Sequence, residues 1–356
     1  MNDIVTPTPA AAFFDAAAVV QARYAAESAR LTGQRARQAA DALGVSEAQW
    51  VAAGCAGIDA VALKPDFQGI FQQLPGVGRV MALTRNDWCV HERHGRYEDV
   101  RADGPMGLVL GPDIDLRVFF FNWASAWSVT DAGRRSLQFF DAAGVAVHKI
   151  YATGETDMAA FDALVDAYRD ASPVWPNNGP VPERPTPRGV SDAAALRADW
   201  LAMTDTHQFF PLLKKHDADR LAALGAAGPD LAQPVAIDAV ETVLTGAASA
   251  GTAIMCFVAN RGMIQIHSGP IETLRRTGPW YNVLDPDFNL HLNTSAIAQV
   301  WVVNKPTADG WVTSLEVYHA AGDLIVQFFG ARKPGQAELP AWRSMLAALC
   351  GTPLAQ

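Results

Sequence analysis

Apolar positions along the chain follow two periods. Segments such as RVMAL, LVL, LRVFFF, AIMCFV, MIQI, AQVWVV, TSLEVY and LIVQFF are short and rich in branched and aromatic residues, the signature of strands. Turn signals such as AAG and TADG separate them at the spacing of antiparallel meanders. Other stretches follow the helical period. Ala17 to Leu43, rich in Ala, Arg and Gln, is predicted to be helical and to stop at Gly44. Asp192 to Leu224 is predicted to be helical and to end near Gly225, and shorter helices are expected over Met158–Arg169 and Ala341–Leu349. Helices followed by runs of strands make an α+β fold rather than an alternating βαβ one.

The same order of elements occurs twice. A shift of 174 residues lays Pro112-Asp113-Ile114-Asp115-Leu116 over Pro286-Asp287-Phe288-Asn289-Leu290, Trp127 over Trp301, Asn86 over Asn260 and Gly95 over Gly269. After a four-residue insertion, Ser136-Leu137 matches Ser314-Leu315 and Ala142-Ala143-Gly144 matches Ala320-Ala321-Gly322. The expectation is a duplicated domain, each copy a large antiparallel sheet with flanking helices. Residues 172–191 hold six of the chain's 22 prolines and continue neither helix nor central strand. They read as a linker between an N-terminal repeat, 1–171, and a C-terminal repeat, 192–356.

Composition narrows the partners. Half of the 356 residues are hydrophobic and 18% are charged, which supplies a core and argues against disorder. A net charge of −9, with no long Lys/Arg run, argues against a nucleic-acid partner. Cys55, Cys89, Cys256 and Cys350 form no CxxC pair, so they suit neither a zinc knuckle nor an iron–sulfur cluster. They read as reduced thiols in a reducing compartment. Met1-Asn2-Asp3 opens no secretory signal, and no apolar stretch reaches the length of a membrane span. A cytoplasmic protein without membrane insertion is expected.

Two residues stand out chemically. On a continuous helix, Leu196, Trp200, Met203, His207 and Phe210 share one face, so His207 is a polar group on an apolar stripe. It is either a core histidine bonded to a carbonyl or an axial ligand, since neutral imidazole among apolar residues suits haem iron. Pro211 removes the bond that would end on the His207 carbonyl, and a kink is expected there. Arg117 shares a strand face with Phe119 and Phe121, and its guanidinium needs an acceptor. That acceptor is an internal carboxylate or a ligand oxygen. The repeat places His291 at the position of Arg117. His91 could face a site or solvent, His94, His216 and His319 are expected to be exposed, and His267 to end a strand. HExxH, GxSxG, P-loop and Rossmann fingerprints are absent, so hydrolase, kinase and dehydrogenase readings have no motif.

The blocks MTDTHQFFPLLKKH (203–216), NRGMIQIHSGP (260–270), GPWYNVLDPDFNLHL (278–292) and AQVWVVNKPTADGWVTSLE (298–316), with RNDWCVHE (85–92), DIDLRVFFFNWAS (113–125) and SLQFFDAAG (136–144), resemble the bacterial haemin-degrading or haem-transport proteins of the HemS/HmuS type over nearly the whole chain. The resemblance implies two similar halves and a haem b site on the C-terminal one. It implies His207 as the axial iron ligand, Arg117 as the distal arginine, and Phe119 and Phe257 as aromatics on the haem face. Arg220, Lys305 and Arg332 match basic residues near the haem edge that pair with propionates, and His91 a further haem contact. From composition alone those three basic residues would be solvated surface charges.

The implied role is haem uptake and iron acquisition: haem is accepted from an inner-membrane importer and passed on to a downstream haem oxygenase. The alternative is a haem-degrading enzyme, for which Arg117 would be the catalytic distal group. A third reading is a structural protein without haem. The residues named serve carrier and enzyme alike.

Overall fold

In a computed structural model, residues 9–176, 179–180, 186–333 and 335–356 are described; the N-terminal Met1-Asn2-Asp3 and part of the proline-rich segment, 177–178 and 181–185, lie outside them. The fold is α+β, with two antiparallel sheets of nine strands each and flanking helices.

The chain divides into two compact units. One comprises the chain up to Arg85, Glu92 to the linker, and Asn260–Gln265; the other comprises Asn86–His91, the linker to Ala259, and Ile266–Gln356. Each unit thus takes in one short segment from the other half of the sequence.

In the first unit, Asp59–Leu63, Trp123–Asp131, Arg134–Asp141, Ala146–Thr156 and Gly78–Arg85 are neighbours in that order, all antiparallel. In the second, Ala232–Val235, Ile297–Thr307, Gly310–His319, Leu324–Gly330 and Ile254–Ala259 repeat the order. Each unit also has a three-stranded piece, Val100–Arg101, Met106–Leu110 and Asp115–Phe119 in one, Leu274–Thr277, Trp280–Leu284 and Phe288–Asn293 in the other.

The registers repeat with the shifts read from the sequence. Trp127 pairs with Gln138 and Trp301 with Glu316; Leu108 pairs with Arg117 and Asn282 with His291. Even the bulges coincide, at Trp123/Ser125 and Ile297/Gln299. The four-residue insertion has a simple form. The first hairpin closes on the pair Asp131 and Arg134, whereas the second continues past Lys305 and Val312 to Thr307 and Gly310. Two residues added to each strand move Lys305 from a hairpin end into the body of the sheet.

The cores are built from the same places with different residues. Around Phe71, Tyr97, Trp123 and Phe139, the first unit encloses a polar chain in which the Tyr97 hydroxyl lies 2.6 Å from His148 Nε2 and Thr84 Oγ1 2.9 Å from His148 Nδ1. By the repeat, the second unit has Val258, Ile271 and Val326 there, all buried. Burial pushes the His148 imidazole down to about 3, partly opposed by its bond to the Leu83 backbone.

Two expected helices are broken. Ala17 to Leu43 lies in Pro9–Leu31 and Ala36–Leu43, parted where Gly33 takes a left-handed φ of 79°, and Gly44 caps the second as expected. The stretch from Asp192 to Leu224 forms Ala193–Leu201, a 3₁₀ turn at Thr206–Gln208, Phe209–Lys215 and Arg220–Ala226. The breaks fall at Ala202–Asp205 and at His216–Asp219, where Asp217 takes a φ of 44°, not at Pro211, which sits in the first turn of a helix where its missing N–H costs nothing. The closing helices are Met158–Tyr168 and Pro340–Ala347. No helix among the described residues is long and apolar enough to cross a membrane.

Candidate functional site

His207 leaves the stripe that a continuous helix would have given it. Leu196 and Trp200 are fully buried, but the helix carrying them ends at Leu201, and the His207 side chain is 90% exposed. The core-histidine reading is thereby excluded. The local cause is a capping box: the Asp205 side chain accepts from the His207 amide at 2.7 Å, and the Gln208 side-chain oxygen accepts from the Asp205 amide at 3.3 Å and the Thr204 amide at 2.8 Å. The same Asp205 oxygen lies 2.6 Å from His207 Nδ1. Backbone and side-chain bonds from His207 hold the Asp205 carboxyl below its usual range, with the Arg332 charge adding to them.

Next to this turn, Phe209 is buried, and two cations lie over its ring: the Arg220 guanidinium at 4.8 Å and Lys305 Nζ at 4.7 Å from the centroid. Both pair with Glu316, which is fully enclosed. Arg220 donates through Nε and Nη2 at 2.8 and 2.6 Å, and Lys305 Nζ donates at 2.9 Å. Tyr318, Ser314 and Gln327 donate to the same carboxylate. Burial opposes its ionisation, yet Arg220 and Lys305 hold the Glu316 carboxyl well below the usual carboxylate range.

Lys305, only 3% exposed, fares worse. Burial and the Arg220 charge outweigh Glu316 and bring its ammonium down to about 8. Two cations share one anion, so a surplus positive charge is held indoors. In the first unit Glu47, opening the helix before its first strand, pairs with Lys149, and the Arg85 and Arg37 charges act on the same carboxylate.

Arg332, which follows the strand Leu324–Gly330, reaches Asp309 at 3.7 Å, while its buried Nη1 has no hydrogen-bond partner among the described residues. Arg220 and Lys305 are therefore not solvated surface charges. Phe257 is half-buried, its ring 5.1 Å from that of Phe329.

Arg117, in the first unit, donates to Asp115 two residues away on the same strand face. Burial lifts the Asp115 carboxyl, and Arg117 only partly offsets this. Phe119 is half-buried and its ring lies 6.0 Å from that of Phe121, which is largely exposed. His91 is fully buried, 5.0 Å from the Phe288 ring. His291 meets the Asn282 side chain at 2.7 Å.

Four lesser histidines differ from expectation: His94, expected to be exposed, is half-buried. His216 is largely covered because Asp199 binds its Nε2 at 2.6 Å; His319 is half-buried, stacked on Trp88 at 4.2 Å; and His267 is buried within a strand, stacked on Phe288 at 3.8 Å.

The second unit thus gathers His207, Arg220, Lys305, Arg332 and Phe257, while Arg117 and Phe119 belong to the first. Sequence reasoning missed Asp205, Phe209 and Glu316. Asp205 had a signal, since Asp-Thr-His-Gln has the spacing of a capping box. Glu316 had none, because Arg220 and Lys305 lie 96 and 11 residues away. Among the described residues no group of three or more His, Cys, Asp or Glu could hold a metal ion.

The haemin-degrading HemS/ChuX domain model matches residues 44–168 and again 217–349. The haemin transport protein HmuS of Yersinia pestis is 40% identical over 94% of this chain and 98% of its own length, and HemS of Yersinia enterocolitica 41% over 89% and 93%. Among solved structures, holo-PhuS, a haem-binding protein from Pseudomonas aeruginosa, superposes with a TM-score of 0.89 at 43% identity, covering 94% of this chain and 99% of PhuS. ChuS, a haem-degrading enzyme of Escherichia coli O157:H7, gives 0.84 at 36%, covering 94% and 99%. With a domain match in each half and relatives alike over nearly their full length, the chain belongs to the haemin-degrading HemS/ChuX family.

Proposed function

We propose that the protein binds haem b through His207 and acts in haem uptake and iron acquisition, accepting imported haem and passing it on. One observation carries this reading: an exposed imidazole whose Nδ1 is engaged by Asp205, which leaves Nε2 as the donor atom for iron. The residues present fit the rest of the group. Arg332 Nη1 is a buried donor lacking a partner among the described residues, and the surplus charge of Arg220 and Lys305 favours an incoming carboxylate such as a propionate. Phe257 offers half-buried aromatic surface to a flat macrocycle, and for Phe119, also half-buried, the resemblance to the family is the ground for the same role. His91 is the remaining candidate contact, with fluorescence quenching of a His91→Phe variant by haemin as its test.

In this reading the protein works in the cytoplasm, receives haem from an inner-membrane importer and delivers it to a haem oxygenase. The two tandem repeats joined by residues 172–191 would act as the scaffold, with the ligand histidine on the C-terminal one. The likeness to haem-binding PhuS and the haemin transport proteins supports it.

Titrating haemin into wild type and His207→Ala tests the ligand. The variant is expected to bind more weakly with a shifted Soret band, and an unchanged band and affinity would refute the assignment.

A second reading, haem degradation, draws on the likeness to ChuS. Haem itself supplies the oxidative chemistry when bound. Arg117 would then contribute a fixed donor, with Asp115 holding its guanidinium in place. Turnover with a physiological reductant in the presence of catalase separates the two: defined tetrapyrrole and released iron support the enzyme, and intact haem supports the carrier.

A further inference from the structure

We propose that Asp205 is a positioning residue for the iron ligand: its carboxylate fixes the tautomer and orientation of His207 and makes the imidazole a stronger donor, so that the site favours ferric over ferrous haem. The inference rests on His207 as ligand and adds what governs its donor strength.

The geometry is specific. One carboxylate oxygen accepts from both the backbone amide and ring Nδ1 of the same residue, at 2.7 and 2.6 Å. Because an ionised carboxylate only accepts, Nδ1 must carry the proton, and the lone pair falls on Nε2. The carboxylate is itself anchored. It caps the 3₁₀ turn, while the Gln208 side chain reciprocates to the Asp205 and Thr204 amides and lies 3.4 Å from the Thr204 hydroxyl.

His207 is 90% and Asp205 58% exposed in the ligand-free chain. In water, a hydrogen bond between such exposed groups contributes little. Covering it with a macrocycle lowers the local dielectric and strengthens it, so that its effect appears when iron is bound. Partial transfer of the Nδ1 proton toward the carboxylate adds negative charge to the ring, which stabilises Fe(III) more than Fe(II). Loss of such outer partners typically costs ~10–100-fold in metal affinity.

The test uses the full-length protein loaded with haemin. Asp205→Asn keeps a good cap, since Asn and Asp are about equal at that position, but removes the charge. The expected result is a lower Fe–N(His) stretching frequency in the reduced protein and a preference for ferric haem reduced ~10-fold, a rise in midpoint potential of about 59 mV for a one-electron couple. Asp205→Glu should recover part of both. A purely structural cap would leave frequency and potential unchanged in Asp205→Asn, and that result would overturn the proposal.

A second measurement does not depend on that variant. In His207→Gly, added imidazole can donate to Asp205 but 1-methylimidazole cannot, so the former should give the higher Fe–N frequency; equal frequencies would overturn the proposal. The His207→Ala spectrum tells the two failures apart. If it equals wild type, the ligand assignment falls and this inference with it. If it changes while Asp205→Asn matches wild type, only the inference falls.

Discussion

Lys305 is held at the expense of the fold, and replacing it by methionine should show how much. Its ammonium is enclosed, shares Glu316 with Arg220, and is brought from 10.5 down to about 8. At ~1.36 kcal/mol per unit, burying the charged form costs about 3 kcal/mol at pH 7. The Lys305→Met variant fills the same space without a charge. Glu316 stays satisfied, because Arg220, Tyr318, Ser314 and Gln327 still donate to it. The variant should therefore be more stable at neutral pH, by up to ~3 kcal/mol, as when a buried charge gives way to a well-packed apolar group. The sign with pH follows from linkage. The folded value lies below the unfolded one, so between pH 8 and 10.5 the unfolded chain holds the proton that the native chain has released. Wild-type stability should gain about 2 kcal/mol from Lys305 between pH 8 and 9.5, relative to the variant. Urea unfolding of both proteins at pH 7 and 9.5 measures this. A variant less stable at pH 7, or a stability difference that does not narrow toward pH 9.5, would refute the reasoning. The same substitution should weaken haemin binding, because the surplus charge that destabilises the free protein is what an incoming carboxylate would neutralise.

Glu316→Gln introduces the residue that the repeat carries at Gln138 and leaves two enclosed cations facing each other; a loss of ~3–5 kcal/mol in urea unfolding is expected. A loss below ~1 kcal/mol would mean that the cations find another partner. His148, held near 3 by burial, releases its proton on folding, so between pH 6.5 and 3 the unfolded state binds the extra proton and stability falls with acid. Its share is ~2 kcal/mol from pH 6.5 to 5. Combining Thr84→Val, Tyr97→Ile and His148→Val, which installs the core of the second unit, should remove that share; an unchanged acid limb would contradict it. Arg117→Ala should leave haemin affinity within a few-fold of wild type while slowing any haem breakdown under reductant and oxygen. Wild-type rates would return Arg117 to a simple partner of Asp115.

Much of the architecture was legible because its carriers are periodic and local. Alternating apolar segments with Gly turns marked the strands, and the 174-residue shift, with its later step of four, carries through to the strand registers and their bulges. The helices were less legible. A run of helix-forming residues hides where a cap interrupts it, and the box at Asp205–Gln208 outweighs the apolar spacing that joins His207 to Leu196 and Trp200. The ionic centre was illegible for another reason. Glu316 is a polar residue at an inward-facing strand position, and its cations come from a helix and a strand remote in sequence. The same three residue types could equally have lain apart on the surface. Burial of Lys305 hinges on the insertion, whose structural effect appears once the two hairpins are set in register.

A crystal structure of the protein grown with haemin tests the central claim most directly. Iron bonded to His207 Nε2, with Nδ1 still on Asp205, is the predicted result. Iron on a different side chain, or the His207 ring turned away from the porphyrin, would contradict the account.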